Sequence, residues 1–225
     1  MESLKTQQSI AVILYDLALP LDIAGPTDAF TGANQYWRTA HNLETDHRYY
    51  KFLYISADDR VIKTKSGLKI TADALLSETS PTDYDVILVP GGDGVFKALK
   101  NTALIEWMKT AYLHSKRTMS VCSGAALLAE AGLLTGKKAC SHWFSCERLQ
   151  AKYPNVNFDP ASLYISDGKI ITSAGVTSGI DMALAVIEAD MGRTAALEVA
   201  RHLVVHLKRA GNQQQFSGPL KAQLK

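Results

Sequence analysis

Short apolar runs rich in β-branched residues constrain this chain most. Ser9–Tyr15 (SIAVILY), Phe52–Ser56 (FLYIS), Asp85–Pro90 (DVILVP) and Thr118–Val121 (TMSV) lack the polar alternation of a half-exposed strand. They read as strands buried on both faces, as in a parallel sheet. Stretches with helical spacing follow the first, third and fourth of them, at Ala24–Gly32, Phe96–Lys116 and Ser123–Ala131. Strands alternating with helices predict an α/β three-layer sandwich, a central, mostly parallel sheet with helices on both faces.

Further along, Leu163–Ser173 (LYISDGKIITS) reads as a β-hairpin. Asp167-Gly168 supplies the positive φ angles of its tight turn. Gly179–Met191 and Thr194–Lys208 read as two packed helices separated by Gly192. With no internal repeat and no composition break, residues 1–210 are expected to form one domain and residues 211–225 a tail or linker.

The bulk numbers exclude several function classes. Among 225 residues, 47% are hydrophobic and 20% charged, and 24 basic against 22 acidic residues leave a formal charge of +2. No field of that size steers the chain to nucleic acid or to an anionic membrane. The opening MESLKTQQ lacks the features of a secretory signal, and no apolar run reaches the length of a membrane span. Three cysteines cannot all pair within one chain, so reduced thiols and a cytoplasmic location are expected.

Chemistry concentrates where the strands end. In Ser120-Val121-Cys122-Ser123-Gly124-Ala125, an apolar strand stops at a nucleophile-capable residue and small residues open a helix. Such a turn projects the side chain from the sheet edge, and a helix N-terminus favours the thiolate. A buried structural cysteine fits the local pattern equally well. Gly91 and Gly92, in VPGGDG, fall at the same C-terminal edge, where ligands bind in such folds and where adjacent amides can stabilise an oxyanion. A plain glycine turn is the alternative. Asp22, in LDIAGP, is either a helix cap or a proton-exchanging neighbour of the thiol, with Asp16 a weaker competitor. His142, in Ser-His-Trp, can return to the cleft. Cys140 and Cys146 lack zinc-ligand spacing, so neither metal nor other cofactor is expected.

Taken in order, LPLDIAGPTDAF, DVILVPGGDGV, SVCSGAALLAEAGLLTGKKACSHW and ITSAGVTSGIDMALAVIE resemble the ThiJ/PfpI superfamily, with its class I glutamine amidotransferase-like fold, over roughly residues 9–210. The resemblance implies a flavodoxin-like strand order. It makes Cys122 the elbow cysteine, Asp22 its acidic neighbour, Gly91, Gly92 and the Ser123 amide the oxyanion-type donors, and His142 a pocket residue. Ser123 stands where peptidase-like members carry histidine, and Gly175–Gly179 stands where glutamine amidotransferases carry a His and Glu pair. Neither activity is therefore expected. Two branches are most similar. In isonitrile hydratase, the elbow cysteine attacks the isonitrile carbon and an aspartate handles the proton. In the sensing domain of AraC-type transcription regulators, a run like Arg209–Phe216 (RAGNQQQF), often followed by serine as at Ser217, recurs at the end. That run favours a small-molecule sensor, with a cysteine-dependent hydratase as the alternative. The family tendency implies a homodimer. No helix-turn-helix pair is read in these 225 residues, so direct DNA contact by this chain is not expected.

Overall fold

The computed structural model describes residues 7–206 and 208–215. Strand β1 (Gln8–Leu14) leads into helix α1 (Pro20–His41) and strand β2 (Tyr50–Ser56). A small hairpin, β3 (Val61–Lys63) and β4 (Lys69–Thr71), and the two-residue strand β5 (Ala74–Leu75) precede β6 (Val86–Val89). Helices α2 (Val95–Ala98) and α3 (Thr102–His114) lead to β7 (Arg117–Val121) and α4 (Ala125–Glu130). Then come β8 (Lys138–Cys140), α5 (Trp143–Lys152), β9 (Asn157–Asp159), β10 (Tyr164–Asp167) and β11 (Ile170–Ser173). Helices α6 (Ser178–Met191) and α7 (Arg193–His202) complete the described elements.

The main sheet has the order β10-β11-β7-β6-β1-β2-β5. Every pair in it is parallel except β10 with β11. Its five central strands, numbered along the chain, run 2-1-3-4-5, the expected flavodoxin-like order. Helices α1, α6 and α7 pack together as one layer, and α4 packs with α2 and α3. Ile10 to Leu14 are fully buried, as are Leu88 and Val89, which is why these strands read as unbroken apolar runs.

Boundaries differ from the sequence reading for local reasons. Helix α1 starts at Pro20, whose fixed φ suits a first helical position, and extends beyond Gly32 to bury Phe30, Ala33 and Trp37. Gly32 lies against α7, where an added Cβ would stand 3.2 Å from Val199 Cγ1. The single helix expected over Phe96–Lys116 is two, because Asn101 caps α3 by accepting from the Leu104 N–H at 3.1 Å. Helix α7 ends at His202, short of Lys208, and Val204 follows with φ +56°. The β10–β11 hairpin is present, but Asp167 pairs with Ile170, so its turn residues are Gly168 and Lys169, of which Gly168 takes positive φ (+64°).

After α7, the described tail folds back. The Gly211 carbonyl accepts from the Leu163 and Tyr164 N–H groups, and Gln214 bridges to Ser162. Phe216 and Ser217, the end of the run noted in the sequence, lie outside the described residues. Among the described residues no helix is long and apolar enough to cross a membrane.

Candidate functional site

Three strand ends converge at the C-terminal edge of the sheet, at the β1/β6 switch point and its neighbour β7. Cys122 follows β7 directly with φ +56°, a left-handed conformation that is costly for a non-glycine residue and that marks strained functional turns. Gly124 makes the turn possible: a Cβ there would lie 2.4 Å from the Val89 carbonyl oxygen. Ser141 Oγ donates to the Cys122 carbonyl at 2.8 Å and so holds the strained peptide. Of the three cysteines, all free, Cys122 is partly accessible, while Cys140 and Cys146 are buried.

Asp22, in the first turn of α1, is fully buried. Its Oδ2 accepts from the Gly91 N–H at 3.1 Å and its Oδ1 accepts from the Val176 N–H at 2.8 Å, and the Cys122 side chain lies beside the same carboxylate. The side chain therefore ties α1 to the loops at Gly91 and Val176 and is not a helix cap. Asp16 faces elsewhere, accepting from the Lys63 N–H at 2.9 Å at the start of the small hairpin.

The expected oxyanion donors are already engaged. The Gly91 amide serves Asp22, and the Gly92 amide donates to Ser123 Oγ at 3.0 Å, with that hydroxyl donating back to the Gly92 carbonyl at 3.2 Å. These glycines let the cleft close on itself: a Cβ at Gly91 would stand 2.7 Å from Cys122 Cβ and 2.9 Å from Asp22 Oδ2. The Ser123 N–H faces the sulfur. His142 caps α5, its Nδ1 accepting from the Phe144 N–H at 3.4 Å, and partial burial lowers its pKa.

Two neighbours escaped the sequence reading. Gly175, with φ +103°, brings its Cα against the thiol, and a Cβ there would lie 2.4 Å from Cys122 Cβ and 2.9 Å from Sγ. Val176, at φ +53°, contributes only a backbone N–H. Nothing in its side chain could have announced that role. Gly175 carried a signal, a glycine just past the last sheet strand in TSAG. Gly175→Ala is expected to displace Cys122 and to destabilise the fold by roughly 1–3 kcal/mol, since the site cannot absorb a methyl group. A urea midpoint equal to that of the wild type would rule this out.

Electrostatically, burial opposes charge on both partners. Burial, then the charge of Asp22, pushes the Cys122 thiol up to about 12, against the opposing pull of the Ser123 N–H and hydroxyl. Burial lifts Asp22 to about 6 despite its hydrogen bonds from Val176, Gly91 and Cys122. The pull toward thiolate expected of a helix N-terminus is opposed here: α4 has six residues, and burial acts in the other direction. What the pair offers is a thiol pushed away from the thiolate beside a carboxylate raised toward neutrality. Beside the elbow, Val95, Phe96, Leu99, Ala126 and Leu149 line an apolar cavity of about 120 Å³ that Ser123 and Arg148 also border.

This geometry has relatives. Residues 8–189 match the sequence profile of the DJ-1/PfpI family. The chain belongs to that family. It is 29% identical to the HTH-type transcriptional regulator CdhR of Pseudomonas aeruginosa over 78% of this chain and 51% of that protein. Similarity to the HTH-type transcriptional regulator GbdR of the same species is 27% over 98% of this chain and 56% of the relative. Identity reaches 34% with isonitrile hydratase of Pseudomonas putida, over 81% of this chain and 72% of the enzyme. The chain spans about half the length of the two regulators. Among solved structures, a ThiJ/PfpI family protein from Pseudomonas syringae superposes with a TM-score of 0.77 at 26% identity, over 92% of this chain and 78% of the other.

Proposed function

We propose that this family member is a small-molecule-sensing domain of the kind carried by AraC-type regulators, with Cys122 and Asp22 facing the ligand. The observation that carries the reading is the seating of the thiol: Cys122, the partly accessible cysteine of the three, stands at positive φ on the C-terminal edge of the sheet, packed against Gly91 and Gly175. Burial and the neighbouring Asp22 push the thiol pKa up, which suits a hydrogen-bond donor to a ligand better than a standing nucleophile. The alignment with GbdR over 98% of this chain supports the same assignment. The apolar cavity beside Ser123 suits a compact hydrocarbon substituent on the ligand. A thermal-shift and native mass-spectrometry screen of small polar-headed metabolites should return a binder whose effect disappears in Asp22→Ala. If no binder depends on Asp22 or Cys122, the sensing role is wrong.

A second reading is favoured by the adjacency of the Cys122 and Asp22 side chains and by the 34% identity with isonitrile hydratase. Sulfur would add to the terminal carbon of R–N≡C while the thiol proton passes through Asp22 to that carbon, giving a thioimidate, R–N=CH–S–Cys. Water would then add to the carbon and the sulfur would leave with a proton, releasing R–NH–CHO. Formation of N-substituted formamide from a small isonitrile, lost in Cys122→Ala, would replace the sensing reading with this one.

A further inference from the structure

Neither reading gives the side chains of Arg209 to Gln215 a role at the site, yet they reach both of its strained residues at one remove. Arg209 grips the first turn of α6. Its backbone N–H donates to Asp181 Oδ1 at 3.1 Å, and its Nε and Nη2 donate to Oδ2 at 3.0 and 2.6 Å. The same Nη2 donates to Thr177 Oγ1 at 3.0 Å. Asp181 is buried, so this is a desolvated ion pair that resists being opened. Thr177 follows Val176, the residue at positive φ whose N–H holds Asp22 Oδ1. Ser178 secures the other side of this turn, its Oγ accepting from the Gly175 N–H and donating to the Gly175 carbonyl.

Six residues on, Gln215 repeats the arrangement on the other side of the elbow. Its Nε2 donates to the Ser141 and Ser162 carbonyls, each at 3.0 Å, and its Oε1 accepts from the Trp143 N–H at 2.9 Å. Ser141 is the residue whose hydroxyl holds the Cys122 carbonyl. A β-branched residue and a cysteine at positive φ persist only when their surroundings over-determine them. The tail supplies one anchor for each.

We propose that residues 208–215 form a clasp that positions Asp22 and Cys122, with Arg209 and Gln215 as positioning residues, so that occupancy of the elbow site and docking of the tail are linked. By reciprocity, whatever perturbs the thiol loosens the tail to the same degree as loosening the tail perturbs the thiol. This rests on the assignment of Cys122 and Asp22 as the site, not on turnover. Asp22 faces the thiol and the Tyr15 hydroxyl, and Lys65 acts on the thiol from the small hairpin. Losing the Val176 N–H removes a bond that lowers the Asp22 pKa, so its titration near pH 6 moves upward.

The test follows alkylation of Cys122 by iodoacetamide in the 225-residue chain, located by peptide mass spectrometry across pH 5–9. Arg209→Ala, Gln215→Ala and the milder Thr177→Val are compared with wild type, the last two serving if Arg209→Ala does not fold. The clasp predicts alkylation at pH 7 faster by on the order of 5-fold or more. It also predicts an Asp22 inflection displaced upward, and faster hydrogen exchange in 208–215 once Cys122 is alkylated. Variants that melt earlier but keep the wild-type rate and inflection would reduce the tail to a structural brace and overturn the proposal. An inflection that survives Asp22→Asn would show that Asp22 does not govern the thiol, sinking the site assignment and the clasp together. Absence of isonitrile hydration alongside the shifted inflection would retire only the lyase reading.

Discussion

Arg117→Met should lower the free energy of unfolding by roughly 3–5 kcal/mol, the range for removing one partner of a buried ion pair. Arg117 opens β7 at the sheet edge opposite the site, and its two terminal nitrogens reach Asp190 of α6 at 2.8 and 2.5 Å. The Asp190 side chain is 7% exposed and also accepts from the Tyr50 hydroxyl at 2.7 Å and from Gln8 Nε2 at 3.3 Å. One carboxylate thus joins β1, β2, β7 and α6. Without Arg117 the carboxylate loses two charge-assisted bonds in a place with little water, and the donors that stay, Tyr50 and Gln8 among them, offset only part of that cost. Urea denaturation at pH 7 measures the loss. The double variant Arg117→Met/Asp190→Asn, which removes both charges and keeps an acceptor for Tyr50, should recover more than half of it. A single-variant loss below about 1 kcal/mol would put the pair in the class of surface ion pairs and defeat the prediction.

Asp22 should make the fold less stable as pH rises, the reverse of the usual carboxylate. Its ordinary pKa of 3.8 is raised to about 6 in the folded protein. Between these values the native state keeps a proton that the unfolded chain has released. Stability is therefore full below pH 4 and is lost as pH climbs through 6, by about 3 kcal/mol for a shift of roughly 2 units. Comparing wild type with Asp22→Asn by urea denaturation from pH 3.5 to 7.5 isolates the effect. Any constant cost of asparagine, which cannot accept from both the Gly91 and Val176 amides, cancels in the slope. The variant should gain on the wild type between pH 4 and 6 and then run level. A difference that is flat across this window would mean that Asp22 is solvated in the native state.

Much of the fold was legible because burial on both faces leaves a plain mark. SIAVILY covers β1 from Ser9 onward, DVILVP contains β6, and LYISDGKIITS forms its hairpin, although the turn sits one residue later than its Asp-Gly pair suggested. Elements smaller than that mark were not legible. Strands β3, β4, β5, β8 and β9 have two or three residues each, too few for a period to show. Helix limits failed where one residue type serves two ends. Gly32 lies mid-helix because α7 needs a close approach, and Asn101 breaks a stretch whose apolar spacing runs straight through it.

For the site, the sequence by itself determined which residues stand at the strand ends: a cysteine, an aspartate and paired glycines, each just past an apolar run. Only the tertiary structure decided what they do to one another. The Asp22 carboxylate lies beside the thiol because β1, β6 and β7 are neighbours in the sheet, and burial there opposes the thiolate that a helix N-terminus alone would favour. The backbone amides of Gly91 and Val176 come from positions 85 residues apart in number and meet on one carboxylate, although no side chain announces either. Local sequence carries conformational preference and hydrophobic period. Desolvation and backbone hydrogen bonding between distant segments arise only once the chain has closed around them.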